Sequence, residues 1–173
     1  RRAKKRLPER VKQPLSVPAA PNQAWSIDFM SDSLTDGRKF RLLNIIDDFN
    51  REALTINADY SQSGRTVVSA LEDLKYWRGR PIEIRCDNGP EFLSNHFVDY
   101  CQTQGIHIKY IQPGKPTQNA YIERFNRTVR YDWLAQELFD TIDDVQDQAT
   151  RWMWHYNNER PNMALGGITP NQR

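Results

Sequence analysis

Hydrophobic and polar positions switch between two periods along this chain. Ala24–Met30 and Phe40–Phe49 are strand-like apolar runs with Gly37 in the turn between them. Glu52–Asn57 is a third run and closes a meander of three antiparallel strands. Ser63–Trp77 has helical spacing, with Val67, Val68, Leu71 and Leu74 on one side and polar residues opposite. Pro81–Cys86 reads as a short buried strand. Asn95–Gln104 reads as a helix carrying Phe97, Val98 and Cys101 and stopped at Gly105, and Ile106–Ile111 as a further strand. Pro113-Gly-Lys-Pro116 interrupts regular structure. A helix follows from about Gln118 to Leu134, with Ile122, Phe125, Val129 and Trp133 in one narrow stripe that must face the core. Another starts at Thr141, which can cap it with Asp144 three residues on; Val145, Ala149, Trp152 and Tyr156 form its stripe, and Pro161 ends it. Gly166-Gly-Ile-Thr-Pro170 reads as a loop. The order is three strands, helix, strand, helix, strand and two helices. It predicts an α/β fold, a five-stranded mixed sheet flanked by helices.

The chain's 173 residues fit one domain with a real core. It has no apolar stretch of membrane-spanning length and no signal-peptide pattern, so a cytoplasmic protein without a membrane partner is expected. Cys86 and Cys101 form no framework and no zinc-ligand spacing, and they read as buried thiols of a reducing compartment. The net charge of +2 hides an asymmetry: residues 1–12 carry seven Lys/Arg and one Glu. That stretch, followed by Pro14, Pro18 and Pro21, reads as a basic linker over residues 1–21, with the folded domain at 22–173. A basic arm on a mildly acidic body suits contact with phosphates; taken alone, a solvated linker explains it equally well. The start at Arg1 without Met suggests a fragment, with more protein upstream.

Charged residues inside apolar runs supply the candidate chemistry. Asp28 lies within Trp25-Ser-Ile-Asp-Phe-Met30. Asp87 ends the apolar run Pro81–Cys86 and opens Asp87-Asn-Gly-Pro-Glu-Phe92, at a strand end where open α/β sheets place ligands. Glu123 follows after thirty-five intervening residues, where a loop turns into a helix. It sits about a quarter turn from the core stripe, on a flank shared with Asn119, Arg127 and Arg130. Carboxylates in apolar surroundings are costly unless neutralised, and a divalent cation does this well. Taken singly, each has a plainer explanation: Asp28 an outward strand residue, Asp87 a turn opener, and Glu123 an i, i+4 salt bridge to Arg127 worth ~0.3–0.5 kcal/mol. Asp32, Asp36, Asp47, Asp48, Glu83 and Glu91 rank lower. Asp32 and Asp36 flank a polar turn and should be solvated. A turn before Asn50-Arg51 explains Asp47 and Asp48. Glu91 follows Asp87 by four residues and could orient the site.

Five segments in order resemble one family: Trp25-Ser-Ile-Asp28, Ile46-Asp-Asp-Phe-Asn-Arg51, Asp87-Asn-Gly-Pro-Glu-Phe92, Pro113-Gly-Lys-Pro-Thr-Gln-Asn-Ala-Tyr-Ile-Glu-Arg-Phe-Asn126, and Tyr156-Asn-Asn-Glu-Arg-Pro161 with Thr169-Pro170. Together they look like the integrase-like catalytic core of bacterial insertion-sequence transposases of the second-reading-frame type, related to retroviral integrases. The match covers about residues 22–172, and the thirty-five-residue Asp-to-Glu interval is also the family's. Two positions depart from the family pattern: Arg124 stands where a small Ser is usual, and Asn162 where His is usual.

The resemblance implies a ribonuclease H-like fold, a catalytic and metal-binding triad of Asp28, Asp87 and Glu123, and Mg²⁺ or Mn²⁺ as cofactor, two ions in number. It implies DNA as partner, both element ends and target, and a homo-oligomer when assembled on DNA. It also makes residues 1–20 the junction to an upstream DNA-binding region. Lys115, Arg124, Arg127 and Arg130 are candidate phosphate contacts, and Asn88 and Gln118 could position DNA ends. The expected activity is metal-dependent nicking and 3′-OH strand transfer. The competing readings are a metal-dependent nuclease of the same fold and a catalytically silent DNA-binding module.

Overall fold

The computed structural model describes residues 15–112 and 114–173, so the basic run at residues 1–12 lies outside the described residues. Five strands form one mixed sheet. β1 (Ala24–Ser33), β2 (Lys39–Asp47) and β3 (Ala53–Asp59) make the antiparallel meander, and β4 (Glu83–Cys86) and β5 (His107–Tyr110) add in parallel, in the order β3-β2-β1-β4-β5. Gly37 makes the first hairpin turn with φ 87°, a left-handed conformation that costs glycine nothing.

Among the described residues five α-helices accompany the sheet: α1 (Gly64–Trp77), α2 (Pro90–Leu93), α3 (Asn95–Gln104), α4 (Ala120–Asp132) and α5 (Ile142–Asn158). Side-chain alternation along the strands makes two cores. One face of the sheet (Trp25, Ile27, Leu43, Ile45, Ile84, Cys86) packs against Val67, Leu71 and Leu74 of α1 and Phe97 and Cys101 of α3. The other face (Met30, Leu42, Ile46, Ile56) packs against Ile122, Phe125 and Val129 of α4 and Val145, Ala149 and Tyr156 of α5. The stripes expected for α4 and α5 are thus the buried ones, with Trp152 partly buried and stacked between Trp133 and Tyr156.

Helix ends follow the sequence signals. Thr141 Oγ1 accepts the Asp144 amide at 3.1 Å, and Gly105 closes α3 in the left-handed conformation. Strand ends shift by one to three residues, and two differences bear on the site. The single turn α2 adds to the expected elements; it forms where Pro90 suits a first helical position. The residues before α4 form a 3₁₀ turn (Pro116–Asn119), so regular α4 starts at Ala120, three residues before Glu123. Both cysteines are buried free thiols, and burial pushes Cys101 up to about 12. No helix among the described residues is long and apolar enough to cross a membrane.

Candidate active site

The parallel pairing of β1 with β4 brings two acids together. Ser26 lies opposite Arg85 at the last paired position. Two residues farther along each strand stand Asp28 and Asp87, on the sheet face covered by α4. Asp28 is half-buried: its Oδ1 accepts the Phe29 amide at 2.9 Å, and its Oδ2 accepts from Asn126 Nδ2 of α4 at 3.0 Å. Asp87 Oδ1 accepts the Gly89 amide at 2.8 Å, which fixes the carboxylate over its own turn. Asn88 ties the same turn to the end of β5 by donating to the Ile111 carbonyl at 2.9 Å.

Burial and then the facing charge of Asp87 push the Asp28 carboxyl up to about 7, and the two donors offset this only in part. A carboxyl whose ionisation is resisted by burial and by a second carboxylate marks a candidate functional site.

Glu123 occupies the first turn of α4 and is exposed. It forms no ion pair with Arg127 among the described residues. Asn126, three residues on, is the direct tether between α4 and Asp28, and it is held in turn by Asn44 of β2, whose Nδ2 donates to Asn126 Oδ1 at 2.8 Å. Among the described residues no three His, Cys, Asp or Glu side chains stand close enough to hold one ion together. Asp87 stands near enough to Asp28 to raise its carboxyl, and among the described residues Glu123 completes no three-acid cluster with them.

The lower-ranked acids are bound elsewhere. Glu91 Oε1 pairs with Arg41 at 2.6 Å, and that guanidinium lies 4.0 Å above the Phe29 ring. Its Oε2 leans over Gly89, where an added β-carbon would sit 3.0 Å from Glu91 Oε2 and 2.9 Å from Asp87 Oδ1. Asp32 is not solvated as expected: it is half-buried and faces Arg130 at 3.4 Å. Asp36 is exposed beside Arg38, whose backbone amide and guanidinium hold its carboxyl below the usual range. A turn alone does not explain Asp47 and Asp48, because both are fully buried. Asp47 Oδ2 binds Arg78 and the Asn22 amide, each at 2.8 Å. Asp48 Oδ2 binds Ser26 Oγ at 2.8 Å and Arg85 Nη1 at 3.0 Å. Burial nonetheless pushes Asp48 up to about 6, with Ser26 and Arg85 opposing the shift. Glu83 completes this group by binding Arg85 Nε at 3.1 Å.

The paired acids at the carboxyl end of a mixed sheet coincide with a family match. The sequence model described as Integrase core domain matches residues 18–116, and a second of the same description matches residues 104–170. The chain belongs to the integrase core domain family. It is 40% identical over 161 residues to a 31.7 kDa protein of insertion element IS407 from Burkholderia multivorans, covering 93% of this chain and 58% of that protein. It is 40% identical over 172 residues to a 39.2 kDa protein of insertion element IS476 from Xanthomonas euvesicatoria, covering 99% and 50%. The chain thus spans about half the length of these curated relatives. Among solved structures, the catalytic core domain of HTLV-2 integrase in complex with magnesium superposes with a TM-score of 0.71 at 22% identity, covering 89% of this chain and 97% of that one. The likeness gives this integrase core a ribonuclease H-like fold.

The remaining candidates of this integrase core differ in their engagement. Lys115, Arg124 and Arg127 are exposed. Arg130 is engaged instead, donating to the Ser31 carbonyl at 2.8 Å as well as facing Asp32. Gln118 Oε1 accepts the Gln112 amide at 2.7 Å and so closes the loop ahead of α4. The polar layer beneath the acids, Asn44 with Asn126 and Asp48 with Arg85 and Ser26, escaped the sequence reading. One signal for it was present: Arg85 and Asp48 each interrupt an apolar run, and a buried charge requires an opposite partner.

Proposed function

We propose that this integrase core catalyses divalent-metal-dependent nicking of DNA and 3′-OH strand transfer at the ends of an insertion element, as the catalytic domain of its transposase. The observation that carries the reading is the half-buried pair Asp28 and Asp87, with the Asp28 carboxyl held up near 7 by burial and by its neighbour's charge. All-oxygen donors in a site short of positive charge fit Mg²⁺ or Mn²⁺. Asp28, Asp87 and Glu123 would hold it. When bound, two such ions lower the barrier to in-line displacement at phosphorus by polarising the nucleophile and the leaving oxygen.

The chain's own groups orient and neutralise. Asn126 and the Phe29 amide hold the two Asp28 oxygens, and the Gly89 amide holds Asp87. Lys115, Arg124 and Arg127 offer exposed cations for sequence-independent phosphate contact, and Asn88 and Gln118 shape the rim. In nicking, water attacks the scissile phosphorus and the bond to the 3′ oxygen breaks, leaving a 3′-OH on the element end. In strand transfer, that hydroxyl attacks a target phosphodiester and displaces its 3′ oxygen. Both are the same exchange at phosphorus, so one site suffices. Assembly as a homo-oligomer on paired ends belongs to the same proposal.

The test is a labelled-end assay with the full-length protein. Wild type should nick and join, and Glu123→Gln should lose both activities by at least about 10³-fold while keeping its melting temperature. Nicking without joining in the wild type would identify a nuclease instead.

A further inference from the structure

The turn Asp47–Glu52 belongs to one of the five family-like segments, and the surroundings of the site converge on it. Asp47 receives the Asn22 amide and Arg78, Asp48 receives Arg85, and Asn50 Nδ2 donates to the Pro170 carbonyl at 3.1 Å. Arg51 stands in this turn with φ 61°. That is the left-handed region, comfortable for Gly or Asn and strained for Arg. A non-glycine residue held there points to a role for its side chain. The Arg51 guanidinium donates to the carbonyls of Asp48 and Phe49, and its central carbon lies 3.8 Å from the centre of the Tyr121 ring. Tyr121 is half-buried in the first turn of α4, and its hydroxyl donates to the Leu15 carbonyl at 2.9 Å. Tyr121 is therefore clasped between the turn and the incoming linker, two residues before Glu123.

Apolar packing of Ile122 and Phe125 fixes which face of α4 is buried, but it tolerates small rotations and slides. A planar guanidinium stacked on a ring does not, because the contact is directional. We infer that Arg51 is a positioning residue for the proposed catalytic step: by stacking on Tyr121, which the Leu15 carbonyl holds from the other side, it sets the rotation of α4's first turn and so where Glu123 stands relative to Asp28 and Asp87. This rests on the catalytic reading of Glu123. Asn126 anchors the next turn of the helix, so the clasp governs the end that Asn126 does not reach.

The full-length protein is compared with Arg51→Gly, Arg51→Lys, Tyr121→Phe and the double variant Arg51→Gly/Tyr121→Phe, using labelled element ends. Arg51→Gly removes the stack and relieves the backbone strain. It should lower kcat for strand transfer about 10–100-fold while KM for end DNA stays within about twofold. Arg51→Lys keeps the charge without the plane and should lose an intermediate amount. Tyr121→Phe keeps the ring but releases Leu15 and should lose about three- to tenfold, and the double variant should lose less than the product of the single losses. Circular dichroism gives the folded fraction of each; where Arg51→Gly does not fold, Arg51→Lys and Tyr121→Phe carry the test. Wild-type kcat in the folded variants overturns the inference. So does a rise in KM alone, or a loss that disappears once the folded fraction is restored by cooling. Glu123→Gln separates the two levels: if it still transfers strands, the catalytic reading fails and this one with it. If it is inactive while the Arg51 and Tyr121 variants behave as wild type, only the positioning role fails.

Discussion

Removing the charge at Asp28 should stabilise the metal-free core while disabling it. The carboxyl titrates near 3.8 when unfolded and is pushed up to about 7 in the fold, first by burial and then by Asp87. Between these two values the folded state holds a proton that the unfolded state has lost. Stability attributable to this group is therefore intact below about pH 4 and declines as pH rises through 7. Every pH unit between those two values costs the folded state about 1.36 kcal/mol, so the full effect would be about 4 kcal/mol. Partial access of water to the half-buried carboxyl reduces this to roughly 2–4 kcal/mol. Asp28→Asn removes the cost and retains an oxygen for Asn126. Urea titrations in chelator should then show equal stabilities at pH 4 and an advantage for Asp28→Asn of roughly 2–4 kcal/mol at pH 8, a difference of about 4–16 °C in melting temperature. Asp48 also titrates upward, but it does so in both proteins and cancels in the difference. Millimolar Mg²⁺ should stabilise the wild type and leave Asp28→Asn unmoved. Equal stabilities at pH 8 without metal, or an advantage independent of pH, would refute the argument.

Two further outcomes follow from packing around the acids. Gly89→Ala would place a β-carbon 2.9 Å from Asp87 Oδ1 and 3.0 Å from Glu91 Oε2. The backbone there has φ −59°, so strain is not at issue; nicking should fall about 10–100-fold from displacement of Asp87, with a change in stability below about 2 kcal/mol, checked by assay and melt together. Arg85→Met would strand the fully buried Asp48 and should cost about 3–5 kcal/mol at pH 8 in a urea titration. Adding Asp48→Asn should recover most of that loss.

The elements were legible where one signal dominated. Period-3.6 stripes located Ile122, Phe125 and Val129 on α4 and Val145 and Ala149 on α5, because only one face of each helix can meet the sheet. Asp28 and Asp87 stood out because each breaks or ends an apolar run, and parallel register then sets them side by side. The polar layer was not legible, since partners such as Asn44 and Asn126, or Arg85 and Asp48, are brought together by strand order and not by spacing. For the same reason Asp47 and Asp48 looked like turn residues: a local motif and a buried ion pair leave the same letters in the chain. The conformation of Arg51 was unreadable for a different reason, because a positive φ at a non-glycine residue has no mark in the sequence.

The two carboxamides behind Asp28 have a polarity. Asn44 is fully buried and turns its nitrogen toward Asn126, leaving its own oxygen without a partner, at a cost of about 1–3 kcal/mol. Asn126 must then present its nitrogen to Asp28 and can only donate there. The pair works as a rectifier. It grips a carboxylate and loosens on a carboxylic acid whose hydroxyl points at it, so the grip of α4 on the sheet reports the charge state of the site from one turn away.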